Sequence, residues 1–337
     1  MDEDRFFKAA IAIIVLFVIG VVLKLARPVL IPFVLAVFLS YIIDPVLTFL
    51  TRCRCPRRAA VLLVMALMFV LFYLLGALVY SSGKSLAAEL PRYQERLSDL
   101  SVFLAKGVGP FKVDLSAALG KLEIEKIGTF ILSAIGPFFS VLGKLLLVFL
   151  FLIFIVSGRG RAAAKIQKAL GDGRSGRMKA VIEAINAQTR KYILIKTVLS
   201  LANGLIVWVV LALFGVEFAP LFGLLAFLLN FIPDIGSLVA TALRVGFAFF
   251  QFGTFWPPFW ILVITVGLDS VLGYFLEPKI MGKGLGLSPL LVFFSLLFWG
   301  WLWGIPGMIL AVPLTAVIKI VCQNVPALRP VAVLMGT

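Results

Sequence analysis

The sequence contains no histidine, three cysteines and only 16 acidic residues against 31 basic ones. Each shortage excludes a class of chemistry. Without histidine there is no imidazole proton relay, no histidine-assisted serine nucleophile and no histidine metal site. Three cysteines cannot build a disulfide framework. Cys53 and Cys55 lie close together in RCRCPRR, but a metal centre needs more ligands than the chain supplies, so they read as part of a basic membrane-proximal turn. Charge of any kind is scarce, at 14% of residues, while 62% are hydrophobic and mean hydropathy is +1.13. Soluble domains are about 45–50% apolar. This is the composition of a polytopic membrane protein. The net charge of +15 resides in loops between apolar runs, where orientation and anionic lipid explain it better than nucleic acid does.

Six apolar runs are long enough to cross a bilayer, at residues 6–23, 29–43, 59–80, 134–156, 192–214 and 259–276. The N-terminus, MDEDRFFK, carries three acids and no small-residue cleavage site follows the first run, so that run reads as a retained span and not a signal peptide. TRCRCPRR places four arginines in eight residues after the second run, and residues 157–191 hold nine basic residues against Asp172 and Glu183. Residues 81–133 are nearly balanced, with seven basic and six acidic. The positive-inside rule puts the two basic segments and both termini in the cytoplasm, and the balanced one outside. Leu86, Leu90, Tyr93, Leu97, Leu100 and Leu104 recur at helical spacing among charges, which predicts an amphipathic helix in that outer insert. Met178, Val181, Ile182 and Ile185 predict an interfacial helix in the basic inner loop. The same loop holds GDGRSG, a G-x-G-x-x-G match with no preceding strand, so it carries no nucleotide site.

Two further apolar runs are broken at their centres. Residues 218–252 are interrupted by NFIPDIG (230–236), and residues 290–321 by WGIPG (303–307). Each arm of the first is too short to span, and polar backbone survives at membrane depth only inside protein or beside water. Both runs read as helical hairpins dipping into the membrane. Each follows a full span, so the plan occurs twice in opposite directions, as an inverted repeat. The fold expected is an all-α polytopic membrane protein of about six full transmembrane helices plus two re-entrant hairpins, with an extracytoplasmic helical insert. Its parts are scaffold spans at 1–80, the insert at 81–133, a fourth span at 134–157, a basic cytoplasmic interfacial loop at 158–191, a C-terminal transport unit at 192–322 and a cytoplasmic tail at 323–337.

Polar residues inside the apolar runs fall into stripes. Lys196, Ser200 and Asn203 share one helix face, as do Ser237, Thr241, Arg244 and Gln251, and Thr315, Lys319 and Cys322. Asp269 lies mid-span and Glu277 at its end. An ionisable group at bilayer centre costs roughly 2.5–3.5 kcal/mol even on the lenient insertion scale, so such groups mark pathways or pair with one another. Lys196 and Lys319 lie near span ends and have the alternative of snorkelling to the interface. Arg244 and Asp269 have the alternative of a structural ion pair, as do Asp269 and Lys196. Asn230, Asp234, Gly236, Arg244, Gln251, Asp269, Glu277 and Asn203 are the candidate solute or ion pathway. No catalytic residue, cofactor or metal is expected, and the chain does not read as an enzyme: neither a facing aspartate pair nor a histidine-assisted serine is present.

NFIPDIGSLVA (230–240), LEPKIMGKGLGLSPLLV (276–292) and WGIPGMILAVPLTAVIK (303–319), with FVLAVFLSYIIDPVLTFL near the start and PRRAA opening the third span, resemble the autoinducer-2 exporter family of permeases. The resemblance covers nearly the whole chain. It implies an eight-segment membrane fold with cytoplasmic termini, an extracytoplasmic helical insert, a homo-oligomeric, pentameric assembly, and a moving C-terminal unit similar to that of elevator transporters. Members of that family are associated with export of the furanone autoinducer-2, and others with sodium–proton antiport. Position 234 departs from the pattern, with Asp where related sequences often carry Tyr or Asn.

Together these readings describe a secondary transporter, an exporter of a small polar solute coupled to an ion or proton gradient, in the cell membrane. Its partners are the lipid bilayer and a small polar solute or monovalent cation. Two alternatives stand beside it: a sodium(lithium)/proton antiporter, and a scaffolding membrane protein whose charges only hold helices together.

Overall fold

The computed structural model describes residues 3–107, 138–281, 286–325 and 328–336. They form helices and connecting turns, with one isolated antiparallel bridge between Leu287 and Gly336. In chain order the helices are α1 (Glu3–Leu25), α2 (Arg27–Arg52), α3 (Arg57–Gly107), α4 (Phe138–Leu213), α5 (Ala219–Leu229), α6 (Ile235–Phe252) and α7 (Trp256–Ser270). A π-helical segment, Val271–Leu276, carries α7 into α8 (Glu277–Met281). Then come α9 (Pro289–Trp303), α10 (Ile305–Asn324) and α11 (Arg329–Leu334).

Among the described residues, six stretches are long and apolar enough to cross a membrane: Arg27–Arg52, Arg57–Leu86, Ala180–Leu213, Ile235–Phe252, Trp256–Met281 and Ile305–Asn324. The number matches the six expected spans but the set differs, because it includes the second arm of each broken run. Large apolar side chains such as Leu62, Trp208 and Leu213 stay exposed along these helices, as lipid-facing residues do.

Both broken runs are helix–turn–helix hairpins. α5 has 11 residues, about 16 Å at the helical rise, against a hydrocarbon core of about 30 Å. It cannot cross alone. Its partner α6 has 18 residues, so the arms are unequal. In the second hairpin Gly304 makes the turn at φ 70°, a backbone conformation that favours glycine. Ser288 caps α9 by accepting from the Leu291 amide at 3.3 Å, and Pro289 follows it at a position where no amide is needed.

The basic segment expected as a loop at 158–191 is helical throughout, continuous with the spans on both sides within α4. It contains no proline to break the backbone ladder, and its many Ala, Lys and Arg residues, all strong helix formers, carry the helix across five glycines. α3 likewise continues beyond its span to Gly107, giving the first helix of the insert. Residues 108–137, the rest of the insert and the start of the fourth span, lie outside the described residues.

Contacts divide the chain into two compact units. One comprises Met1–Val64, Lys144–Ile195 and Met281–Thr337, the other Met65–Gly143 and Lys196–Ile280. The expected 192–322 segment thus contributes one hairpin to each. In the first unit Tyr41, Tyr192, Ile193 and Val312 form a core, and Tyr41 donates its hydroxyl to Asn186 Oδ1 at 2.6 Å. The second hairpin is tied to α1 there. Trp303 Nε1 donates to the Leu23 carbonyl at 3.1 Å, and Lys24 Nζ sits 4.5 Å from the Trp301 ring centre. Lys319 is buried and donates to the Gly286 carbonyl, while Thr315 accepts from Trp299 Nε1 at 3.3 Å. Residues 329–334, expected as a cytoplasmic tail, form α11, and the Met335 carbonyl accepts from the Ser288 amide at 3.3 Å. In the second unit Val207, Leu211, Val216, Ala219, Phe222, Ala226, Ala248 and Ile261 make the core around the first hairpin.

Candidate functional site

The site is built on the turn of the first hairpin. Pro233 ends the helical run of α5, and the Ile235 amide donates back to the Pro233 carbonyl at 2.6 Å. Asp234 at the centre has φ 56° and ψ −55°, the geometry of a γ-turn that is rare and strained for a residue other than glycine. Strain of this kind is worth roughly 1–3 kcal/mol and concentrates at functional sites. Gly236 makes the turn possible. A Cβ there would lie 1.8 Å from the Leu229 carbonyl oxygen, so only glycine lets α6 start against the end of α5. The hairpin is seated on α4 by another close approach, where a Cβ on Gly204 would meet the Gly223 oxygen at 2.7 Å and the reverse holds equally.

A cavity of about 570 Å³ opens beside this turn, a volume in the range of small-molecule sites. Its polar lining comes from four places. α4 gives Lys196; the turn gives Asn230 and Asp234; α6 gives Ser237 and Thr241. α7, the π-helical segment and α8 give Asp269, Ser270, Tyr274 and Glu277. The π-helical segment carries Gly273 and Tyr274 into the lining, and π-turns inside α-helices recur at functional sites.

Two ion pairs organise the walls. Lys196 Nζ donates to both Glu277 oxygens, at 2.9 and 2.8 Å, with the side chains 5% and 20% exposed. Arg244 Nη2 lies 2.5 Å from Asp269 Oδ2, with exposures of 1% and 12%. Arg244 sits behind Asp269 and does not line the cavity. Its Nε donates to Thr265 Oγ1 at 3.1 Å and its Nη2 also reaches Thr241 Oγ1 at 2.6 Å. Thr241 passes its own hydrogen toward Asp269 Oδ2, at 3.4 Å. Asp269 Oδ1 and Arg244 Nη1 are buried with no protein partner among the described residues. Asp234 is exposed, forms no ion pair among the described residues, and accepts a long contact from the Tyr274 hydroxyl at 3.4 Å.

Of the expected pathway residues, the structure brings Asn230, Asp234, Asp269 and Glu277 to one cavity. Four others stand elsewhere. Gly236 shapes the turn from behind, and Arg244 orients Asp269. Gln251 is at the far end of α6, where it accepts from the Glu217 amide and donates to the Gly215 carbonyl, both at 2.8 Å, closing the α4–α5 connection. Asn203 is buried on α4, one turn beyond Ser200, whose hydroxyl accepts from Asn230 Nδ2 at 2.9 Å. Lys196 was legible as part of a polar stripe; its burial excludes snorkelling. Tyr274 was missed, since a tyrosine near a span end has the ordinary reading of an interfacial anchor.

Over the length of the chain, residues 11–327 match the model of the AI-2E family of transporters. The chain belongs to the AI-2E transporter family. AI-2 transport protein TqsA of Escherichia coli K12 is 32% identical over 316 residues, covering 93% of this chain and 91% of its own. A transport protein of Borreliella burgdorferi is 34% identical over 329 residues, with 96% and 89% covered. One of Haemophilus influenzae is 31% identical over 332 residues, with 97% and 94% covered. An AI-2E transporter is a multi-pass membrane protein that moves a substrate and is not an enzyme.

Proposed function

We propose that this AI-2E transporter is a secondary exporter of a small polar solute, and that the solute binds at the turn of the first hairpin. The observation that carries the reading is the cavity of about 570 Å³ lined by Lys196, Asn230, Asp234, Asp269 and Glu277. Charged groups held at membrane depth, beside a broken helix, are the arrangement by which secondary transporters bind their cargo. The short α5 supports a re-entrant hairpin, and the basic segments support cytoplasmic termini in the cell membrane. Alternating access comes from an elevator-type movement of the C-terminal half, 192–322, against the N-terminal spans, coupled to an ion or proton gradient. The protein works as a homo-oligomer, a pentamer by its family. Identity to TqsA makes AI-2 the first solute to test.

A second reading, sodium(lithium)/proton antiport, draws on Asp234, a carboxylate at the turn without an ion pair among the described residues. Flux in proteoliposomes separates the two. Purified protein, an imposed pH gradient and a pH-sensitive dye inside would be combined with sodium, lithium or AI-2, for the native chain and Asp234→Asn. AI-2 movement without cation dependence supports the exporter. Cation-dependent proton movement lost in Asp234→Asn supports the antiporter. No flux from a well-folded oligomer overturns both and leaves a scaffold.

A further inference from the structure

The charges around the cavity do not balance, and the residue they leave over decides what can enter. Lys196 faces the cavity, but its ammonium is engaged by both oxygens of Glu277. Arg244 is engaged from behind by Asp269, Thr241 and Thr265. Each cation is therefore matched by one carboxylate. Asp234 remains, lining the cavity without a cationic partner among the described residues. Lys196, the lining cation, is thus already held by a carboxylate.

The neighbour of Asp234 narrows the class further. Tyr274 lines the same cavity and touches Asp234 Oδ1 through its hydroxyl at 3.4 Å. A carboxylate beside an aromatic ring is the pairing that recognises organic ammonium groups, by charge on one side and by the ring's negative face on the other. The cavity also has room for an organic body, with Leu238, Leu262 and Val266 in its apolar wall.

We propose that the occupant of this cavity is an organic monocation, a primary amine on a short polar body, with its ammonium against Asp234 and the ring of Tyr274. The proposal rests on the cavity being the solute site. It goes beyond that reading by fixing a positive charge on the solute, which AI-2, a furanone without an ammonium, does not carry. It is tested by binding, and AI-2 flux would support the exporter reading and overturn this one. Ser237 and Asn230 supply hydrogen-bonding groups for the polar remainder.

Three probes of equal length isolate the end group: 5-aminopentan-1-ol, pentane-1,5-diol and 5-hydroxypentanoate. Thermal unfolding of the detergent-solubilised full chain would be followed by tryptophan fluorescence with each one titrated in. The amine is expected to raise Tm in a saturable way, and the diol and the carboxylate to leave it unchanged at the same concentration. Added salt should weaken the amine's effect. Asp234→Asn should weaken amine binding about fivefold, and Asp234→Glu should restore most of it. Tyr274→Phe keeps the ring and the binding, whereas Tyr274→Leu loses about two- to fivefold. The probe series on the native chain needs no variant to fold. Stabilisation by the diol or the carboxylate over the amine, or by none of the three, overturns the proposal. So does an amine effect that Asp234→Asn leaves intact.

Discussion

Lys196 Nζ reaches both carboxylate oxygens of Glu277, at 2.9 and 2.8 Å, across 81 residues of sequence. The contact joins α4 to the start of α8 along one edge of the cavity. Removing one member of a buried pair strands the other charge in a low dielectric, which costs more than the pair gains. Lys196→Met and Glu277→Gln should therefore each lower stability by about 3 kcal/mol. The charge-swapped double variant, Lys196→Glu with Glu277→Lys, should recover much of that loss. Denaturant unfolding of the four proteins in detergent checks this; equal midpoints would show that the pair contributes nothing to the fold.

Arg244 should not tolerate lysine. It holds Thr265 through Nε and Asp269 and Thr241 through Nη2, three groups that one ammonium cannot reach from the same stem. Arg244→Lys is expected to lose about 1–3 kcal/mol, the desolvation cost of the partners left unsatisfied. Arg244→Met with Asp269 retained should lose more, about 3–5 kcal/mol. An Arg244→Met, Asp269→Leu double variant more stable than Arg244→Met alone would confirm that the stranded carboxylate is the cause.

Two glycines of α6 should respond in opposite directions to alanine. At Gly236 the new Cβ would meet the Leu229 oxygen at 1.8 Å, so the turn must open. Overpacking of this kind costs typically about 1–3 kcal/mol or more. Gly246 has nothing within 4 Å of its would-be Cβ, so alanine there should be neutral or stabilise the helix by up to about 1 kcal/mol. Tm values of the two variants in the same detergent decide it, and a Gly246→Ala protein as weak as Gly236→Ala would contradict the packing described here.

Gln251→Leu should cost stability and spare the cavity. Its amide closes the α4–α5 connection through Glu217 and Gly215, two backbone groups that leucine cannot satisfy. A loss of about 1–3 kcal/mol is expected. The response to the amine and diol probes should match that of the native chain once each is referred to its own baseline Tm. A lost amine response in a folded Gln251→Leu protein would place this residue in the pathway after all.

Composition and periodicity alone determined that this chain is a helical membrane protein, where most of its helices lie, and that two apolar runs are broken at NFIPDIG and WGIPG. Those features are local: they follow from apolar run length, from proline and glycine, and from the cost of unsatisfied backbone in lipid. The polar stripes were legible for the same reason, since a helix face is fixed by spacing. Their partners were not. Sequence left Asp269 free to pair with Lys196 or Arg244, and named no partner for Glu277; the fold pairs Lys196 with Glu277 and Arg244 with Asp269. It also keeps Gln251 and Arg244 out of the cavity lining and brings Tyr274 into it, from the π-helical segment that follows α7. The continuous helix through 158–191 was hidden by its charge, which signals a loop while its helix propensity does not. Which groups share a cavity depends on contacts between helices 30 to 80 residues apart, as Asn230 with Ser200 and Glu277 with Lys196 show, and only packing sets those.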